Sequence, residues 1–159
     1  MKNLFLGLLL FASVGANAAS MSAKHAFEGL YWDKNRATII QLSRTKDSID
    51  GRTVWRKNGG GQVDVKNPDE ELRSRPLVGM VFLQGFEYSA RKNRWNNGSV
   101  YDPNNGKTYD AKLSLDKGGE TLEMRGYIGI SLFGRTAKFT RVEQGEIPAQ
   151  LKTFLAAVK

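Results

Sequence analysis

Tyr101, Asp102, Lys107 and Tyr109 bring two phenols, a carboxylate and an ammonium into one short stretch. Such a set is chemically able to hold a proton or an anion. The segment between them, Pro103-Asn104-Asn105-Gly106, is a turn signal, and an aspartate at that point bonds its own backbone. That reading makes Asp102 a turn initiator and leaves Lys107 to solvent. Asp64, Asp69, Glu71 and Asp110 are further carboxylates able to pair across strands. The single histidine, His25, lies seven residues after Ala18, in a segment expected to be loosely held, whereas a general base needs fixed geometry. The chain has no cysteine, so thiol nucleophiles, thiolate metal sites and disulfides are excluded. No carboxylate run has the spacing of a calcium loop. Gly59-Gly60-Gly61 lacks the GK[ST] ending of a phosphate loop. The inventory predicts no catalytic residue, no metal and no cofactor.

Cations offer a second kind of chemistry. Asn67–Pro76 reads NPDEELRSRP and carries Arg73 and Arg75 just before an apolar run. The spacing predicts a helix of about two turns: Asn67 caps, Pro68 takes the first position, acidic residues fill the first turn and Pro76 stops it. Arg73 and Arg75 then have two readings. They meet the carboxylate or phosphate head of a ligand, or they latch the insert by pairing with Asp64, Asp69 or Glu71.

The elements that must position these groups are strands. Tyr109, Ala111, Leu113 and Leu115 share one parity in Lys107–Leu115, with polar residues between them. Leu122 and Met124, then Ala137 and Phe139, repeat the pattern, and Thr38–Ser43 and Ile49–Trp55 read as further strands. Asn97-Gly98 inside continuing strand predicts a bulge. Leu77–Leu83 (LVGMVFL) is apolar in both parities, which predicts a strand covered on both faces. Its outer cover is expected from Glu146–Val158, where Leu151, Phe154, Leu155 and Val158 form one stripe of an amphipathic helix. The whole predicts a mainly β protein: a small antiparallel barrel of eight or nine short strands, with a short inserted helix and a C-terminal amphipathic helix.

Met1–Ala18 has the three parts of a secretory signal peptide: Lys2, the apolar run Leu4–Ala12, and the small-residue site Ala16-Asn17-Ala18. The pattern predicts cleavage after Ala18 and a periplasmic or secreted single domain over 19–159, with no transmembrane segment in the mature protein. Loss of Lys2 lowers the formal net charge from +8 to +7. After export, an anionic envelope surface is a more fitting partner for that charge than nucleic acid. The Lys and Arg residues are spread along the chain, which equally fits general solubility.

Several spaced motifs then carry a resemblance. Asn67-Pro68-Asp69, Leu72-Arg73-Ser74-Arg75-Pro76-Leu77 and Gly79 form its centre. Asp50-Gly51-Arg52-Thr53-Val54-Trp55 lies upstream. Val100-Tyr101-Asp102-Pro103, Gly106-Lys107-Thr108-Tyr109, Met124-Arg125-Gly126-Tyr127-Ile128-Gly129, Leu132-Phe133-Gly134-Arg135-Thr136 and Thr140-Arg141-Val142 follow. In these residues the chain, from about Phe27 to Val142, resembles DUF2147, an uncharacterised family of secreted bacterial proteins. The resemblance implies a lipocalin-like barrel with no established activity. It further implies barrel closure by an arginine of the last strand stacked on an aromatic of the first, here Arg141 on Tyr31, with Trp32 as competing partner. Tyr31 and Phe139 stand where the family commonly has tryptophan, which alters the shape expected of any pocket.

Two functions remain open on these grounds. One is an exported, non-enzymatic barrel that binds a small amphipathic or hydrophobic anion, a fatty acid or lipid. Met80, Phe82, Leu113, Leu115, Met124 and Phe139 would be its pocket wall, with Arg73 and Arg75 at the mouth. The alternative is a solid-core envelope protein with a structural or interaction role and no small-molecule ligand.

Overall fold

Two-residue alternation builds a ring of strands around one dry interior. The structure, a computed structural model, describes residues 23–157. The predicted signal peptide lies outside them. The strands are β1 (Gly29–Asp33), β2 (Thr38–Thr45), β3 (Ser48–Arg56), β4 (Val81–Gln84), β5 (Glu87–Ser89), β6 (Arg94–Asp102), β7 (Lys107–Leu115), β8 (Thr121–Tyr127) and β9 (Arg135–Arg141). A helix, α1 (Ala149–Ala157), follows. Every pairing is antiparallel, in the order β4-β3-β2-β1-β9-β8-β7-β6, and β4 pairs with β6 to close the ring. β5 continues along β6 beyond β4, so β4 and β5 act as one strand broken at Gly85-Phe86. The result is an eight-stranded closed antiparallel barrel.

The break and a bulge fill one end of the barrel. Phe86 turns inward at the break and is buried. Opposite, the β6–β7 register shifts between Trp95 and Gly98, the bulge expected at Asn97-Gly98. A Cβ on Gly98 would lie 2.3 Å from the Phe86 ring, so only glycine admits that ring. Phe27, Tyr31, Trp95, Leu113 and Leu122 complete this packed end, all fully buried. Trp95 meets Phe27 edge-on, with ring centroids 6.4 Å apart.

Three local expectations are corrected. The insert forms a single 3-10 turn, Glu70–Leu72, capped by the Asp69 side chain, not by Asn67. Asn67 instead accepts from the Asp69 N–H and turns its amide toward Asp64. Leu77–Leu83 is not one strand: Gly79, at φ +91°, closes a turn, and only Val81 onward joins the sheet. Leu77 and Met80 are nevertheless buried. α1 comes near only the start of that segment, at Val78, and packs chiefly elsewhere. Leu151 packs with Trp32, Ile39 and Val54 on the outer face of β1–β3, and Leu155 adds to the same cluster. Trp32 therefore points away from Arg141, because it has the opposite parity to Tyr31.

The chain ahead of β1 is also better held than a terminal arm suggests. His25 lies in a helical turn and contacts Glu28 at 2.8 Å, and Phe27 plugs the packed end. Arg141 locks this segment. Its guanidinium carbon lies 4.7 Å from the Tyr31 ring centroid. It donates to the carbonyls of Gly119, Glu28 and Ala26 and to the Tyr31 hydroxyl. That hydroxyl donates in turn to the Phe27 carbonyl at 2.9 Å. Burial pushes the Tyr31 phenol up to about 12 despite the neighbouring cation, so it stays a donor. Gly29 makes room: it has φ +141°, and a Cβ there would meet Arg141 Nη1 at 2.6 Å.

Removing the Arg141 fork frees three carbonyls and a phenol at once. Arg141→Ala is expected to cost about 2–4 kcal/mol, from charged hydrogen bonds and the cation–π contact. Arg141→Lys should recover only a minor part, since an ammonium cannot span the same acceptors. Urea unfolding reads both values, and an unchanged midpoint for Arg141→Ala would contradict this account of closure.

Candidate functional site

The half of the barrel opposite Arg141 is hollow. Several of its inward positions are small: Thr38 on β2, Thr53 on β3, Gly126 on β8 and Ala137 on β9 line a cavity of about 720 Å³. The packed end is filled by tryptophan, phenylalanine and leucine side chains. The cavity therefore follows from side-chain volume along each strand, because a barrel of eight strands is just wide enough for its own side chains. Its apolar wall comes from Ile40, Met80, Phe82, Val100, Met124 and Phe139.

The rim is polar. Arg56 ends β3, Arg135 begins β9, and Asp33, Tyr101, Asp102 and Tyr109 complete it with the β6–β7 turn. The two carboxylates are engaged by their own turns. Asp33 Oδ1 accepts from the N–H groups of Ala37 and Thr38 at 2.7 and 2.8 Å. Asp102 accepts from the Asn104 N–H and from the Asn104 and Asn105 amides. Among the described residues, Arg56 and Arg135 have no ion-pair partner. The rim thus keeps two guanidiniums available beside an apolar well. No three His, Cys, Asp or Glu side chains converge as a metal site among the described residues.

Of the residues singled out from the sequence, Met80, Phe82, Met124 and Phe139 line this cavity. Leu113 and Leu115 do not: they lie toward the other end of β7 and pack into the core. Arg73 and Arg75 are not at the mouth. Arg73 donates to the Asn67 carbonyl and to Glu70. Arg75 donates to Asp64 at 2.8 Å. Asp102 serves its turn, and Lys107 is exposed.

Arg56 and Arg135 were missed for different reasons. Arg135 shares the parity of Ala137 and Phe139, so extending that alternation by one step finds it. Arg56 is hidden by a bulge. Ile39 faces Trp55 while Ile40 faces Thr53, so β3 carries one extra residue there. Simple alternation from Thr53 puts Trp55 inside; the bulge sends Val54 and Trp55 to the outer cluster and Arg56 to the cavity.

The insert supports this rim from behind. Asp64 is fully buried and takes hydrogen bonds from Asn67, Arg75 and the Tyr101 hydroxyl, the last at 2.7 Å. Lys66 reaches the Asn104 carbonyl in the β6–β7 turn at 2.6 Å. The charged insert is a brace that fixes Tyr101 and its turn. Burial alone would raise the Asp64 carboxyl, but three hydrogen bonds and the Arg75 charge outweigh it, and the group sits below the ordinary aspartate value. Burial and the hydrogen bond to Asp64 push Tyr101 up to about 12, which keeps its proton on the phenol.

Residues 29–141 match the family described as "Uncharacterized protein conserved in bacteria (DUF2147)". No curated protein matches the chain. Among solved structures, protein HP1028 of the human pathogen Helicobacter pylori, described as belonging to the lipocalin family, matches with a TM-score of 0.68 and 23% identity. The match covers 79% of this chain and 88% of that one. At this identity the likeness concerns the fold, a lipocalin-like barrel, which is compatible with binding of a small hydrophobic molecule.

The Asp64 brace has a pH signature. A folded-state pKa below the unfolded value means the network contributes fully above about pH 4 and is lost as pH falls through the folded value. Asp64→Asn should cost roughly 1–3 kcal/mol at neutral pH, discounted for the partial exposure of Arg75. It should also flatten the loss of stability on acidification. Urea unfolding across an acidic pH series tests this, and an acid limb as steep as that of the parent protein would remove Asp64 as its source.

Proposed function

We propose that this chain, which belongs to the DUF2147 family of bacterial proteins, is an exported, non-enzymatic barrel that holds a small amphipathic anion in its open half. A fatty acid or a lipid of similar chemistry fits the description: the tail lies on Met80, Phe82, Met124 and Phe139, and the head meets Arg56 and Arg135. The observation that carries this reading is the pairing of an apolar cavity of about 720 Å³ with two rim guanidiniums that lack ion-pair partners. That volume lies inside the range of roughly 300–1,000 Å³ typical of small-molecule sites. Methionine side chains adapt to a flexible tail. A guanidinium suits a planar carboxylate or a phosphate. Export to the periplasm is supported by the leader-like sequence at 1–18. The solid-core alternative has less support, since only one half of the barrel is packed by its own side chains.

Native mass spectrometry of protein purified from its host compartment is expected to show a co-purifying lipid mass. Displacement of a fluorescent fatty acid supplies the affinity. Arg56→Ala and Arg135→Ala should each weaken a fatty acid by about tenfold and leave the matching long-chain alcohol unaffected. Ala137→Trp should fill the cavity and abolish binding of both. Arg75→Ala should lower stability without changing affinity. If no lipid is carried or displaced, or if Ala137→Trp binds as the parent does, the cavity is not the site.

A further inference from the structure

The connection between β8 and β9 exposes an unusual amount of apolar surface. Ile128, Ile130, Leu132 and Phe133 are 74%, 61%, 76% and 79% exposed, within one loop at the mouth of the barrel. Scattered apolar side chains on a surface need no explanation, but a contiguous patch of large ones marks a contact surface. The loop backbone is fixed from below. Arg125 donates through Nε to the Ser131 carbonyl at 2.8 Å and through Nη2 to the Leu132 carbonyl at 3.0 Å. Lys112 donates to Ser131 Oγ at 2.9 Å. These contacts fix the loop backbone at Ser131 and Leu132, while the four apolar side chains stay largely exposed.

The supports of the loop are themselves cationic. Lys112 lies directly opposite Arg125 on the outer face of β7 and β8, a like-charge cross-strand pair. Such pairs are ordinarily destabilising. Arg94, whose neighbour on β7 is Ser114, continues the row along the same outer face toward the packed end, and Lys92 precedes it in the chain. Burial, together with the charges of Arg94, Arg125 and Lys92, holds the Lys112 ammonium below the usual lysine range. Glu123 shares this face but pairs with Lys138 at 2.9 Å. Asp110 is the other acid on the same face of β7. Among the described residues, Lys92, Arg94, Lys112 and Arg125 have no carboxylate partner.

We infer that the loop over residues 128–134 docks the mouth of the barrel on an anionic lipid surface. An apolar tip above a shoulder of cations is the pattern of an interfacial anchor: the tip enters the acyl boundary and the cations meet the headgroups. A second copy of the chain is a poorer occupant, because a two-fold contact through this face would set the basic shoulder against itself. Ile128 and Phe133 also line the cavity, so the surface that meets lipid is continuous with the entrance to the well. The inference stands on the loop and the basic face, whatever the cavity holds.

Sedimentation with phosphatidylcholine vesicles, with and without phosphatidylglycerol, tests it on protein purified after expression of the full chain. Binding is expected to vesicles containing phosphatidylglycerol and to weaken with added salt. The double substitution Leu132→Ser with Phe133→Ser should lower that binding at least tenfold while leaving the melting temperature unchanged, since both side chains are exposed. Lys92→Gln and Arg94→Gln, farther from the mouth along the barrel wall, should lower it by less than the loop substitutions do. Absence of binding to phosphatidylglycerol vesicles would overturn the inference. So would binding indifferent to the loop substitutions. A concentration-dependent dimer dissolved by the same double substitution would overturn it in favour of a second copy of the chain.

Discussion

The Arg141 fork at one end of the barrel is the contact on which the rest of the arrangement depends. It ties the chain ahead of β1 to the last strand and to the β7–β8 turn, and it does so over the ring of Tyr31. With no cysteine in the chain, no covalent bridge shares this task. A short barrel built only from burial and hydrogen bonds must be well packed somewhere. Here the large side chains are concentrated beside Arg141: Phe27, Phe86, Trp95, Leu113 and Leu122. That concentration frees the other end from carrying the core, and a cavity is affordable there.

The hollow end needs its own support, because a rim of turns around a void has few buried contacts. The insert between β3 and β4 supplies it. Asp64, buried and triply hydrogen-bonded, fixes the Tyr101 hydroxyl, while Lys66 holds the β6–β7 turn. The charges of this segment are therefore internal to the fold. Among the cations left over are Arg56 and Arg135 at the rim, and those beneath the apolar loop. A division results between arginines that hold structure, such as Arg75 and Arg141, and arginines that remain available at the mouth.

Much of the barrel was legible in the sequence, because alternation needs only local information. Tyr109, Ala111, Leu113 and Leu115 face inward as their parity requires, and so do Met124 and Phe139. Errors arose where a strand departs from strict alternation. The bulge opposite Ile39 and Ile40 reverses the parity of Arg56, and Gly79 turns an apolar run that reads as one strand. The placement of α1 on Trp32, Ile39 and Val54 was also invisible, since an apolar helical stripe does not say which strands it covers.

The sequence by itself determined the strand class, the inward faces of the later strands, the bulge at Asn97-Gly98 and the lack of any thiol. Those follow from residue type and period-two spacing, which act between neighbours in the chain. Only the tertiary structure decided which end is hollow, which arginines reach the mouth and where positive charge gathers. Arg94, Lys112 and Arg125 are scattered along the chain, and strand register assembles them into one face. Register, ring closure and bulges are set by contacts between residues far apart in sequence, so no local pattern records them.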